Sequence, residues 1–242
     1  MLYSFQGFED GKEPTGTLVP DAAGNLYGTT LYGGIGDLRY GTVFEPSPPA
    51  VAGGSWTKAV LYAFKGGGDG AYPNGSLIFD KLGNLYGTTS GGGTTPGSSI
   101  FELKPPSTPG GAWTKVTLWN FNGSNGSSPE GKVVLDAAGN LYGTTFQGGS
   151  HNFGVVFELV APTTVGARWK ERILHNFGAF AGDGTFGGDD LLLRGGVLYG
   201  TTKEGDSANM GTVFRLAPKP GLWTETILHS FSGSDGSFPV GG

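Results

Sequence analysis

Asp189 and Asp190 are adjacent carboxylates, standing where three other copies of a repeated segment place Gly16-Thr17, Gly75-Ser76 and Gly131-Lys132. Glu130 comes just before the third of those glycines. Acids crowded together split their pKa values, so that one holds a proton while its neighbour is ionised. Paired carboxylates act as general acid and base in this way. Asp189, Asp190 and Glu130 are therefore candidate catalytic groups, with His151 as a proton carrier. The chemistry they suit is that of a carbohydrate-active hydrolase or lyase. Lys132 supports a plainer alternative, an ion-pair cluster lining a solvated channel.

A second set of residues suits recognition. One loop carries Tyr32, Asp37, Arg39 and Tyr40, and a corresponding one carries Gln147, His151, Asn152 and Phe153. A third carries Lys203, Glu204, Asp206 and Asn209. Aromatic faces beside amides, acids and a guanidinium are what a sugar-binding surface needs, flat rings for stacking and planar groups to orient hydroxyls. Solvated loop tips would vary in the same way. The acidic or amide turns at Asp10, Asp69, Asn125, Asp183 and Asp235, each followed by Gly, have two readings. They are oxygen ligands for a structural Ca²⁺, or ordinary turns; the lack of Asp-x-Asp-x-Asp spacing favours turns. His175 and His229 fill the slot held elsewhere by Tyr3, Tyr62 and Trp119, which makes them stand-ins for a packed aromatic. No Gly-x-Ser-x-Gly elbow, His-Glu-x-x-His pair or phosphate loop occurs, so no catalytic metal or other cofactor is assigned.

The elements that must position these groups follow from a repeat. Leu-Tyr-Gly-Thr-Thr recurs at Leu26, Leu85, Leu141 and Leu198, a period of about 57 residues. Each copy reads as four short β-rich runs separated by turn signals, with no helical period. The middle runs are apolar on both faces, as in Val155-Val156-Phe157, which suits strands sandwiched between neighbouring sheets. The last run is charged, as in Trp56-Thr57-Lys58 and Trp169-Lys170-Glu171, which suits an exposed edge. Such sheets stacked face to face around an axis make a β-propeller. The expected fold is all-β, one propeller over residues 1–242 with repeat units near 14–64, 73–121, 129–177 and 187–231. The 48 glycines fall at fixed offsets beside aromatic residues, which marks turns and close approaches rather than low complexity.

The pattern Gly-x-Leu-x-x-Asp-x-x-Gly-Asn-Leu-Tyr-Gly-Thr-Thr-x-x-Gly-Gly is nearly whole at Gly16–Gly34 and Gly75–Gly93. It resembles the tandem "GloVer" repeat of bacterial surface proteins with varied C-terminal anchors, and the resemblance covers essentially the whole chain. It implies a propeller-like protein that is secreted or held at the cell surface, although no signal-peptide pattern follows Met1. The fourth copy departs from the pattern, with Leu193 in the place of the turn Asp and Arg194-Gly195-Gly196-Val197 as a shortened turn.

Outer-strand motifs number one more than inner hairpins, because Leu2-Tyr3-Ser4-Phe5 precedes the first copy. It is expected to form an extra N-terminal outer strand beside four complete four-stranded blades. The open ends allow a four-bladed monomer, a homodimer closing one larger ring, or a stretch of a longer array. A net charge of −5 without a basic stripe argues against nucleic acid, and no run is apolar for long enough to insert in a membrane. Three functional readings remain in play: a module binding carbohydrate or protein through variable loops, a hydrolase or lyase, and a structural spacer.

Overall fold

The computed structural model describes residues 2–34, 40–92, 97–108, 110–164 and 166–239. The chain forms two compact units, Met1–Asn120 and Phe121–Gly242, each holding two four-stranded antiparallel sheets. In the first unit, β1 (Lys12–Pro20), β2 (Leu26–Tyr32), β3 (Thr42–Ser47) and β4 (Thr57–Ala63) pair in chain order. The strands β5 (Ile78–Phe79), β6 (Leu85–Thr89), β7 (Ser99–Lys104) and β8 (Thr114–Asn120) do the same. The second unit opens with β9 (Val134–Leu135), β10 (Leu141–Thr144), β11 (Val155–Val160) and β12 (Lys170–Asn176). A two-residue β13 (Gly184–Thr185) then precedes β14 (Leu192–Arg194) and β15 (Val197–Thr202). The short β16 (Glu204–Gly205) pairs with β13, and β17 (Thr212–Lys219) and β18 (Leu222–Ser230) complete the last sheet. No helix among the described residues is long and apolar enough to cross a membrane.

The repeated glycine of Leu-Tyr-Gly is explained by what lies on it. Gly28, Gly87, Gly143 and Gly200 each face a third-strand phenylalanine across the ladder: Phe44, Phe101, Phe157 and Phe214. A Cβ on Gly143 would sit 2.6 Å from Phe157 Cζ, and one on Gly200 would sit 2.7 Å from Phe214 Cζ. Only the bare backbone leaves room for the ring. Each ring also meets, edge to face, the phenylalanine closing the preceding Leu-x-x-Phe motif. Centroid separations are 4.9 Å for Phe5–Phe44, 5.2 Å for Phe64–Phe101 and Phe121–Phe157, and 5.4 Å for Phe177–Phe214. A β-bulge falls at the same place in all four sheets, just before that third-strand phenylalanine. It adds local twist where the ring turns inward.

Within each unit the core is shared between both sheets. Tyr27, Val43 and Phe64 join Leu77, Leu85 and Phe101 in the first, and Tyr142, Val156 and Phe177 join Leu198 and Phe214 in the second. The Asp-x-x-Gly-Asn turn holds the hairpin below. Asp136 Oδ1 accepts from the backbone N–H of Ala138 and Asn140, while Oδ2 accepts from Asn140 Nδ2 and Tyr142 Oη. Asp21 and Asp80 repeat this arrangement with Tyr27 and Tyr86.

The fourth copy differs from expectation. Leu193 pairs with Leu198 as Leu135 pairs with Leu141, so Leu193 is a strand residue and not the replacement for the turn acid. The hairpin closes on Gly195 and Gly196, both at positive φ, as a two-residue turn requires. Tyr199, without an acid beneath it, is half-buried where Tyr27, Tyr86 and Tyr142 are buried. The expected outer strand at Leu2–Phe5 is also corrected: residues 2–6 carry no strand. Every other outer strand hydrogen-bonds to a third strand of its own sheet, and among the described residues Leu2–Phe5 has no such pairing. Phe5 still takes its place against Phe44.

Truncating Phe157 to Ala, a wholly buried ring, is expected to cost about 3–5 kcal/mol in urea unfolding. The turn acids set a pH limb. Burial raises Asp136, but the Asn140, Tyr142 and Ala138 hydrogen bonds outweigh it and leave the carboxyl below its ordinary value. Its stabilisation is therefore complete above about pH 3.9 and is lost as pH falls through the lower folded value. Asp136→Asn should flatten part of the acid limb of a stability–pH profile and leave the neutral-to-alkaline limb unchanged.

Candidate functional site

Where successive inner strands approach in the second unit, β9 and β14 are preceded by the segments carrying the candidate acids. A Cβ on Gly131 would lie 2.5 Å from the carbonyl oxygen of Asp189, so glycine is required for this approach. Thr144 Oγ1 donates to that same carbonyl at 3.0 Å. The Lys132 N–H donates to Asp190 Oδ1 at 2.6 Å, and the Lys132 ammonium pairs with Asp190 Oδ2 at 2.9 Å. In the first unit, the Thr17 N–H donates to Ser76 Oγ at 2.8 Å in the corresponding place. Asp190 thus does in one unit the tying job that a serine hydroxyl does in the other. Asp189 Oδ2 accepts from Thr201 Oγ1 of β15 at 2.7 Å.

Glu130 is placed differently. It is half-buried, and burial raises its carboxyl above the ordinary range; Lys203 opposes the rise and Asp189 adds to it. Around Gly188, a Cβ would meet the Phe146 ring at 3.3 Å and Glu130 Oε2 at 3.6 Å. The Lys203 ammonium lies 5.7 Å from the centre of the Phe146 ring, within cation–π range. Phe146 and Phe186 are tilted by 32° with centroids 5.1 Å apart, and Phe153 meets Phe186 edge-on at 5.3 Å. Phe153 is 38% exposed and the other two rings are half-buried. One patch therefore holds an acid whose carboxyl is raised by burial, an ammonium and three aromatic rings.

The first unit has a parallel arrangement of tyrosines. Tyr72 lies 5.6 Å from Tyr32 and 5.9 Å from Tyr40, both edge to face. In each unit the central ring belongs to a residue at positive φ, Tyr72 at 58° and Phe186 at 60°. Each makes the same two backbone hydrogen bonds. Tyr72 N–H donates to Tyr40 O and its carbonyl accepts from Ser90, while Phe186 N–H donates to Phe153 O and its carbonyl accepts from Lys203. A left-handed conformation costs about 1–3 kcal/mol for a bulky residue and persists only where its surroundings hold it. These hydrogen bonds supply the hold.

The remaining sequence candidates scatter. His151 is exposed, its Nδ1 3.1 Å from Ser150 Oγ on a loop tip. Asn152, at φ 60°, spends its Oδ1 on the Gly148 N–H in a turn. Gln147 exposes its side chain while its backbone bridges to Ser127. Glu204 sits in β16 opposite Thr185. Asp37 and Arg39 lie outside the described residues. Sequence reasoning points to the loop of Lys203 but not to Tyr72, Phe146 or Phe186. Their signal is positional: Phe146 and Lys203 follow the repeat's Thr-Thr, and Tyr72 and Phe186 precede its proline slot.

The matched pattern of the Gloeobacter/Verrucomicrobia repeat covers residues 1–112 and 108–242, which together span the whole sequence. The chain belongs to that repeat family. No curated protein matches it. Among solved structures it is similar to one titled Hadza microbial sialidase Hz136, at 13% identity and a TM-score of 0.47. That similarity covers 90% of this chain and 46% of the other, so this chain spans under half the length of that structure.

Replacing Asp190 by Ala leaves the Lys132 N–H without its acceptor and should cost about 1–3 kcal/mol. Asp190→Ser, which installs the first unit's solution, should recover most of that loss in the same unfolding titration.

Proposed function

We propose that the chain is a β-propeller binding module that works outside the cell or at its surface and holds carbohydrate. The repeat family and the four equivalent meanders support the architecture, each sheet being a blade with its first strand innermost. The observation that carries the binding reading is the patch around Gly188. There the half-buried Phe146 ring lies near the Glu130 carboxyl and under the Lys203 ammonium, an aromatic and polar set of the kind that packs on a sugar ring and orients its hydroxyls. Asp190 favours binding over turnover, because both of its oxygens are engaged by Lys132.

A second reading, a hydrolase or lyase, is favoured by one observation, the raised carboxyl of Glu130. A general acid must be protonated near working pH, and burial beside Asp189 moves Glu130 in that direction. One purified sample screened on a glycan array and on chromogenic glycosides separates the two. Binding without turnover is expected, with Phe146→Ala weakening it about tenfold or more and Glu130→Gln having a smaller effect. Turnover abolished by Glu130→Gln would establish the enzymatic reading. Carbohydrate binding unchanged in Phe146→Ala would remove the patch from the account.

A further inference from the structure

Under three of the loop acids, Asp10, Asp69 and Asp183, lies a buried position that an outer strand fills. In the first unit β4 fills it with Lys58, its side chain 1% exposed, whose ammonium pairs with Asp10 Oδ1 at 2.7 Å and also reaches the Asp10 carbonyl. Tyr3 Oη donates to the same carboxylate oxygen at 2.8 Å. The strand β8 repeats this with Lys115, 3% exposed, against Asp69 Oδ1 at 3.2 Å, and Tyr62 Oη donates at 2.7 Å. Both sites are a tyrosine, an aspartate and a buried cation. The aspartate also accepts a backbone N–H from its own loop, Gln6 or Lys65, as a turn residue does.

In the second unit the corresponding residues are His175 on β12, Asp183 and Glu225 on β18. The buried cation has become a carboxylate. The Asp183 side chain is wholly buried and that of Glu225 is 2% exposed, so two acids meet out of contact with bulk solvent. His175 Nε2 lies 3.1 Å from Asp183 Oδ2, 3.3 Å from Asp183 Oδ1 and 3.3 Å from Glu225 Oε2. Both Glu225 oxygens are buried with no hydrogen-bond donor in place, and Asp183 is the neighbour with which a protonated Glu225 shares its proton when no cation is bound. Burial and then Asp183 push the Glu225 carboxyl up to about 9, the response of an acid that lacks a counter-charge.

We infer that His175 Nε2, Asp183 and Glu225 form a binding site for a divalent transition-metal ion of the Zn²⁺ type, which occupies the place the lysine ammonium fills in the first two repeats. One ligand atom from each residue lies within 4.8 Å of the others. A tetrahedral ion with bonds of about 2.0 Å sets its ligand atoms about 3.3 Å apart, which matches the 3.3 Å separations of His175 Nε2 from Asp183 Oδ1 and from Glu225 Oε2. The imidazole selects Zn²⁺ over Ca²⁺, which takes six to eight oxygens. The Ala179 N–H, donating to Asp183 Oδ2 at 2.7 Å, orients the carboxylate from behind and leaves Oδ1 to the ion. The His175 side chain is 12% exposed, so the imidazole is the member of the triad nearest solvent. The ion would pin the edge strands β12 and β18 to the loop that carries Asp183.

Untagged protein, stripped with chelator, is titrated with ZnCl₂ by calorimetry and melted with and without it. One Zn²⁺ per chain and a raised Tm are expected, with no response to CaCl₂ or MgCl₂. The double variant His175→Tyr, Glu225→Lys rebuilds the triad of the first two repeats, and it should fold and lose both the heat and the Tm gain. Should that variant fail to fold, Glu225→Gln carries the test, with Zn²⁺ affinity expected to fall at least tenfold. His229→Ala, at the exposed His229–Asp235 pair, should bind as the parent does. No stoichiometric Zn²⁺ uptake by the parent, or uptake that survives the folded Glu225 variants, would overturn the assignment.

Discussion

The structure depends on a ring laid over a backbone that has no side chain. In each sheet a third-strand phenylalanine covers the glycine of Leu-Tyr-Gly, and the ring then meets the phenylalanine that closes the preceding Leu-x-x-Phe motif. One residue thus locks a ladder and joins neighbouring repeats. The residue just before the sheet's first strand contributes to the same contact, since a Cβ on Gly200 would also meet Leu191 at 2.8 Å. Two strands, the approach to a third and the preceding repeat converge on a spot that tolerates no extra atom. Close packing of this kind makes the scaffold the same in every copy.

Because the scaffold is shared, function has to lie in departures from it. The departures in the second unit exchange charge and polarity at positions the first unit fills neutrally or with a lysine. Asp190 replaces Ser76 at a strand tie, Phe186 replaces Tyr72 at a held, left-handed position, and Glu225 replaces Lys58 and Lys115. Of these three, the last is the one that leaves both of its buried side-chain oxygens without a hydrogen-bond donor in place. A substitution whose polar atoms find partners changes the surface; one whose atoms do not calls for a ligand.

The sequence made the repeats legible because their signal is local. Leu-Tyr-Gly-Thr-Thr, the Asp-x-x-Gly-Asn turn and charged edge strands each report a conformation through neighbours a few residues away. It also brought Asp189, Asp190 and Glu130 forward, since they break a repeat. It did not separate their roles, because the partners that do so come from other copies: Lys132 lies 58 positions from Asp190. His175 reads as an aromatic stand-in, and it does pack edge-on against Phe177 at 5.4 Å. Its pairing with Asp183 and Glu225 depends on the register of β18 against β17, which no local pattern states.

The central claim is that the glycine and the ring form one interaction and not two separate preferences. A double-mutant cycle on Gly200→Ala and Phe214→Leu, read by equilibrium unfolding, measures this directly. The account predicts that Gly200→Ala is strongly destabilising while the Phe214 ring is present and much milder in the Phe214→Leu background, with a coupling energy of about 0.5–3 kcal/mol. Losses that simply add would contradict it, because the glycine would then be needed for its backbone alone and the ring for its burial alone.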